Sequence, residues 1–167
     1  VGQPLVAQPL VAQPLVAQPL VAQPGDARRF EDALRFDGET GPYLQFAHAR
    51  LCSIERKFSE AHPAAPVPQP KLLARDEEKA VLLAIARLRS ALERVVETDE
   101  PSALASALLH LAGTISSWLT AGNHAPELRV LCPDPAMASA RRDLVHTARG
   151  ALGEGLRLLG LQAPQRM

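Results

Sequence analysis

The chain has 167 residues, 47% of them apolar and 22% charged, which is the profile of one globular domain with a single core. Lys and Arg total 18, as do Asp and Glu. The resulting net charge of zero excludes the strong, sequence-blind attraction of a polybasic nucleic-acid binder, so any RNA contact must rest on a local site. No apolar run reaches the roughly 18 residues of a membrane span, and the N-terminus lacks a charged segment followed by an apolar one. Cys52, Cys132 and the histidines fall into no metal-ligand spacing. Reduced structural thiols and, by default, a cytoplasmic protein are the expectation.

Residues 1–25 repeat Gln-Pro-Leu-Val-Ala, starting at Gln3 and again at Gln8, Gln13 and Gln18 before stopping at Gln23-Pro24. Proline at every fifth position removes backbone donors and clashes with the preceding turn. A disordered, extended segment of polyproline character is therefore expected, either a duplicated tail without function or a weak peptide-binding element. Val1 in place of a methionine suggests a piece of a longer chain.

From Asp26 to Met167 the pattern becomes helical, and a single domain is expected there. A first helix follows Gly38-Glu39-Thr40-Gly41-Pro42, with Thr40 or Gly41 as cap and Pro42 in the first turn. Its buried stripe is Leu44, Ala47, Leu51, Ile54 and Phe58. Pro63, Pro66, Pro68 and Pro70 end it in a loop. A second helix starts near Asp76, with Glu77 and Glu78 at its positive end and Val81, Ile85, Leu88, Leu92 and Val95 on one face. The third follows Thr98-Asp99-Glu100-Pro101 and buries Leu104, Leu108, Leu111, Ile115 and Trp118 or Leu119. A fourth begins after Asp134-Pro135 and runs through Leu144, Ala148, Leu152, Leu156 and Leu159 to a left-handed stop at Gly160. No sustained period-two run of β-branched residues occurs, so the spacing predicts an all-α antiparallel bundle.

A bundle does not by itself specify a function. At about 100° per residue, however, Tyr43, Phe46 and Arg50 fall on one strip a quarter-turn from the core stripe of the first helix. Aromatic rings beside a guanidinium suit stacking and hydrogen bonding to an unpaired base, although both rings could equally extend the core beneath a neighbouring helix. Trp118, on the apolar stripe of the third helix, reads as core, with a pocket wall as the lesser option. His48 reads as structural. Arg141, Arg142, Arg149 and Arg157 read as a solvated, ion-paired face, or alternatively as a track for phosphates.

The run Gly38-Glu39-Thr40-Gly41-Pro42-Tyr43-Leu44-Gln45-Phe46-Ala47-His48-Ala49-Arg50 resembles the segment that opens the C-terminal anticodon-binding domain of arginyl-tRNA synthetases, written G-[DE]-T-G-P-Y-L-Q-Y-A-H-A-R. Asp76-Glu77-Glu78-Lys79-Ala80 is similar to the second helix of that family. Residues 152–167, ending in Arg166-Met167, are similar to its last helix and terminus. Asp32-Ala33-Leu34-Arg35 spells the D-A-L-R signature after which the domain is called.

The resemblance implies a helix bundle of the class I synthetase anticodon-binding type that reads the anticodon loop of an arginine tRNA. Every arginine codon has G in the middle, so one pocket for one cytosine serves every such tRNA. By resemblance the loop bases are surrounded by Tyr43, Phe46, Arg50 and the terminal Met167, with Phe46 standing where the family commonly has tyrosine. The stacking face is kept and a hydroxyl is lost. The resemblance implies neither a membrane nor DNA as partner, and a monomer is expected.

The nucleotide-binding His-x-Gly-His and Lys-Met-Ser-Lys motifs of a whole synthetase do not occur in this sequence. ATP is accordingly expected only in a parent ligase, no cofactor is expected here, and the chain should be inactive alone. Two other readings stay open. One is a helical scaffold or interaction module that has lost tRNA binding, favoured if residues 26–37 cover Tyr43 and Arg50. The other is a related class I domain such as the cysteinyl one, against which Gly-Pro-Tyr-Leu-Gln and the Arg-Met ending argue.

Overall fold

The computed structural model describes residues 41–167; the repeat and the whole of residues 26–40 lie outside it. Among the described residues there are four α-helices and no strand: α1 Gly41–Ala61, α2 Asp76–Thr98, α3 Ser102–His124 and α4 Pro135–Leu158. Short 3-10 turns, Pro70–Leu72 and Pro126–Leu128, break the two longer connections.

The helix ends follow from identifiable local chemistry. Pro42 sits in the first turn of α1, where its missing N–H costs nothing. Glu78 Oε2 reaches back to accept the backbone N–H of Arg75, satisfying a donor ahead of α2. Asp99 adopts φ 55° and donates its N–H to Val95, a left-handed stop that Asp tolerates. The carboxylate of Asp134 accepts from the amides of Ala136 and Met137, with Pro135 next in line. At the other end of α4, Gly160 has φ 73°. Leu161 N–H bonds Leu156 O at 2.8 Å and Gly160 N–H bonds Arg157 O at 3.0 Å, the paired bonds of a Schellman stop.

α2 packs mainly on α3, and α1 on α4. The two pairs close on a core that includes Leu44 and Leu51, Val81 and Ala84, Leu108, Leu111 and Trp118, and Leu144, Leu152 and Leu156. α3 is long and apolar enough to cross a membrane by length and composition, but here its apolar positions face the other helices: Leu104, Leu108, Leu111, Ile115 and Trp118 are all buried. A Cβ added at Gly155 would lie 2.4 Å from Leu108 Cδ2, so glycine is what lets α4 approach α3 so closely.

The expected stripes need two corrections. Phe58 is buried, but with Cys132 and Ala138 in a separate small cluster rather than in the main core. Leu92 is 38% exposed, while Ala84 and Glu78 are buried on α2. The buried line on α2 is rotated from the one expected because a small alanine and an ion-paired carboxylate fit its contact better. Both cysteines are free and buried. Cys52 Sγ lies 3.8 Å from His48 Nδ1, and Cys132 Sγ donates to Asp134 O.

Candidate nucleic-acid interface

The strip on α1 faces α3. Tyr43 is half-buried and packs against the core, Phe46 is 50% exposed, and Arg50 is half-buried. With Ala47 they meet Ala112, Ile115, Ser116 and Leu119 of α3 around a shallow cleft of about 40 Å³. The small side chains Ala112 and Ser116 allow the approach. Since the share of a single water in the liquid is about 30 Å³, a base cannot enter this cleft. It can lie across the mouth, on the open face of Phe46, with the Arg50 guanidinium as a donor at its edge.

The strip continues past Arg50. Ser53 and Lys57 follow at spacings of three and four, and with Arg50 and Ile54 they form one wall of a second cleft of about 290 Å³. Its other wall is the end of α3, from Leu119 to Asn123, and the segment Leu128 to Leu131. Arg50 and Leu119 belong to both clefts.

The C-terminal tail runs along a different face of α1. Gln45 Nε2 donates to Gln162 O at 2.9 Å, the His48 ring Nδ1 to Pro164 O at 2.9 Å, and Arg56 Nη1 to Gln165 O at 3.2 Å. A Cβ at Gly153 would stand 3.2 Å from His48 Nε2, so glycine leaves room for the ring against α4. His48 is thus structural, holding the tail. At about 100° per residue the clasp lies more than a quarter-turn from Tyr43 and Arg50. Met167 is 63% exposed and does not line the cleft between α1 and α3. Trp118 is 1% exposed and belongs to the core, also outside the cleft lining.

Residues 44–167 match the profile of the DALR anticodon binding domain. The chain belongs to this family. The match starts one residue beyond Tyr43 and includes Phe46, Arg50, Trp118 and Met167. Over 140 residues the chain is 36% identical to an arginine–tRNA ligase of Thermus thermophilus, covering 83% of this chain and 23% of that protein. It is 38% identical over 135 residues to a probable cytoplasmic arginine–tRNA ligase of Dictyostelium discoideum, covering 80% and 21%. The solved Thermus thermophilus arginyl-tRNA synthetase superposes with a TM-score of 0.73 at 34% identity, over 83% of this chain and 23% of that one. The chain therefore spans less than a quarter of the length of the relatives it matches.

In this DALR anticodon binding domain the arginines of α4 serve the fold. Arg141, expected on a solvated face, is 1% exposed; its Nε donates to Glu78 Oε1 at 2.6 Å and its Nη1 to Arg129 O at 2.9 Å. The helical period locates a face but does not say that a carboxylate from α2 waits beneath it. Arg149 pairs with Glu55 at 2.9 Å, and Arg157 with Glu154, as the ion-paired reading expected. That pairing holds the Glu154 carboxyl below its ordinary range, through the hydrogen bond from Arg157. Arg142 lies 5.5 Å from the centroid of the Phe58 ring, a cation–π contact instead of a solvated position. Sequence reasoning missed Lys57 and Arg129. The first carried a signal, because Tyr43, Arg50 and Lys57 are spaced by seven and share one helix strip. Arg129 comes from a loop and carried none.

Proposed function

We propose that this chain reads the anticodon loop of an arginine tRNA in the cytoplasm, as a monomer, in support of arginine aminoacylation. An unpaired loop base stacks on Phe46 and Tyr43, and Arg50 donates to its carbonyl and ring nitrogen. The observation that carries this reading is the convergence of Tyr43, Phe46 and Arg50 on one cleft between α1 and α3, with Phe46 open to solvent. Membership in the DALR anticodon binding domain family and likeness to arginine–tRNA ligases support it. Aminoacylation itself, with its ATP, is assigned to the remainder of such a ligase, and this chain is given no cofactor. Met167, at the exposed end of the clasped tail, contributes to the loop contact from outside the cleft lining, and Trp118 contributes only by supporting α3.

The test is a titration of anticodon stem-loops carrying C or U at the middle anticodon position. Wild type should prefer C, Phe46→Ala should weaken binding of both loops, and Arg50→Ala should flatten the preference. Equal binding of the two loops by folded wild-type protein would sink the reading.

A further inference from the structure

We propose that the cleft of about 290 Å³ beside the aromatic strip is a second nucleotide subsite, which takes the phosphate and base of a loop nucleotide adjacent to the one stacked on Phe46. This rests on the RNA-loop reading above and extends it from one nucleotide to two. Continuity is the first argument. Arg50 and Leu119 line both clefts, so a strand whose base lies across Phe46 passes directly into the larger one.

Charge is the second. Arg50, Lys57 and Arg129 line this cleft, and no carboxylate among the described residues does. In a chain with 18 basic and 18 acidic residues, that local excess is the kind of site a neutral protein needs to hold a phosphate. Shape is the third. The volume lies at the lower edge of the roughly 300 to 1,000 Å³ of small-molecule sites, whereas the neighbouring cleft holds about a single water. Its floor is apolar, from Ile54, Leu119 and Val130, which suits the face of a base. Asn123 at the rim offers both donors and an acceptor to a base edge.

The cleft is also held in shape before any ligand arrives. Arg129 Nε donates to Gly122 O at 3.0 Å, and the backbone carbonyl of Arg129 accepts from the buried Arg141. A Cβ at Gly122 would lie 3.4 Å from Arg129 Cα, so the loop rests directly on the end of α3. Such fixed donors lose little freedom on binding.

The experiment uses the full chain and anticodon stem-loops that are intact or abasic at the first or third anticodon nucleotide, over a range of salt. For wild type, one of the two abasic loops should bind roughly fivefold to a hundredfold more weakly than the intact loop, as expected for a lost stack. Asn123→Ala should weaken the intact loop and bind that abasic loop with little further loss, the mark of a shared contact. Lys57→Gln should reduce the slope of log affinity against log salt by about 0.7, the value for one phosphate of a single strand. Lys71→Gln, on the first 3-10 turn, should leave the slope unchanged. Melting curves establish that each variant is folded. If wild type distinguishes C from U in the middle, yet neither abasic loop loses affinity and Lys57→Gln keeps the wild-type slope, the second subsite is wrong and the aromatic strip stands. If wild type binds no stem-loop, or does not distinguish C from U, both readings fall. Equal competition by free nucleotide and by stem-loop would likewise overturn the subsite as an RNA-loop contact.

Discussion

The Nε of Arg141 on α4 donates to Oε1 of Glu78 on α2 across 2.6 Å, with both side chains shut off from solvent. The same carboxylate caps the start of α2 through Arg75 N, and the same guanidinium holds the carbonyl of Arg129. Two helices and the loop that walls the larger cleft are thereby joined at one buried point. Arg141→Met leaves Glu78 charged and unpaired in the interior, which should cost about 3 to 5 kcal/mol. Urea unfolding is the measurement. Adding Glu78→Leu to Arg141→Met should recover part of the loss, because a buried pair replaced on both sides is far less costly than one broken. A single variant as stable as wild type would show that the pair is not buried in solution.

Gly155 should tolerate no side chain. The Cβ of an alanine would meet Leu108 Cδ2 at 2.4 Å, and Leu108 is itself fully buried with no room to withdraw. Gly155→Ala should therefore destabilise by about 1 to 3 kcal/mol despite the better helix propensity of alanine. Leu108→Ala in the same chain should make Gly155→Ala nearly neutral or favourable. Simple addition of the two effects in a double-mutant cycle would contradict the contact.

Phe46 and Trp118 should separate binding from folding. Phe46→Ala removes a ring that is half exposed, so stability should change by no more than about 0.5 kcal/mol. Its effect on stem-loop affinity should be about 1 to 3 kcal/mol. Trp118→Ala empties a core site and should cost about 3 to 5 kcal/mol of stability. The fluorescence of Trp118, the chain's single tryptophan, should resist aqueous quenchers and barely respond to RNA. Ready quenching in the native protein would place the ring at the surface.

His48→Ala should loosen the C-terminal tail. It removes the bond to Pro164 O, worth about 0.5 to 1.5 kcal/mol, while the bonds from Gln45 and Arg56 remain. Carboxypeptidase should trim residues 165–167 faster in the variant, with the melting of the bundle only slightly lowered. Unchanged trimming would show that the ring does not hold the tail.

Local chemistry in the sequence determined the helix ends. Asp134-Pro135 starts α4 and Gly160 stops it because a carboxylate satisfies free amides and a glycine accepts positive φ wherever the chain goes next. The spacing of three and four likewise placed Tyr43, Phe46 and Arg50 on one strip, since helical geometry needs no partner to define it. What lies opposite that strip was not local information. Ala112 and Ser116 narrow the smaller cleft only because α3 packs there, and Arg129 joins Lys57 at the larger one from a loop far along the chain. Arg141 and Leu92 show the limit most directly. A helical period says which residues share a face, but the neighbour decides whether that face is wet. Here the tertiary packing buried a charge that met a carboxylate and left exposed a leucine that met nothing.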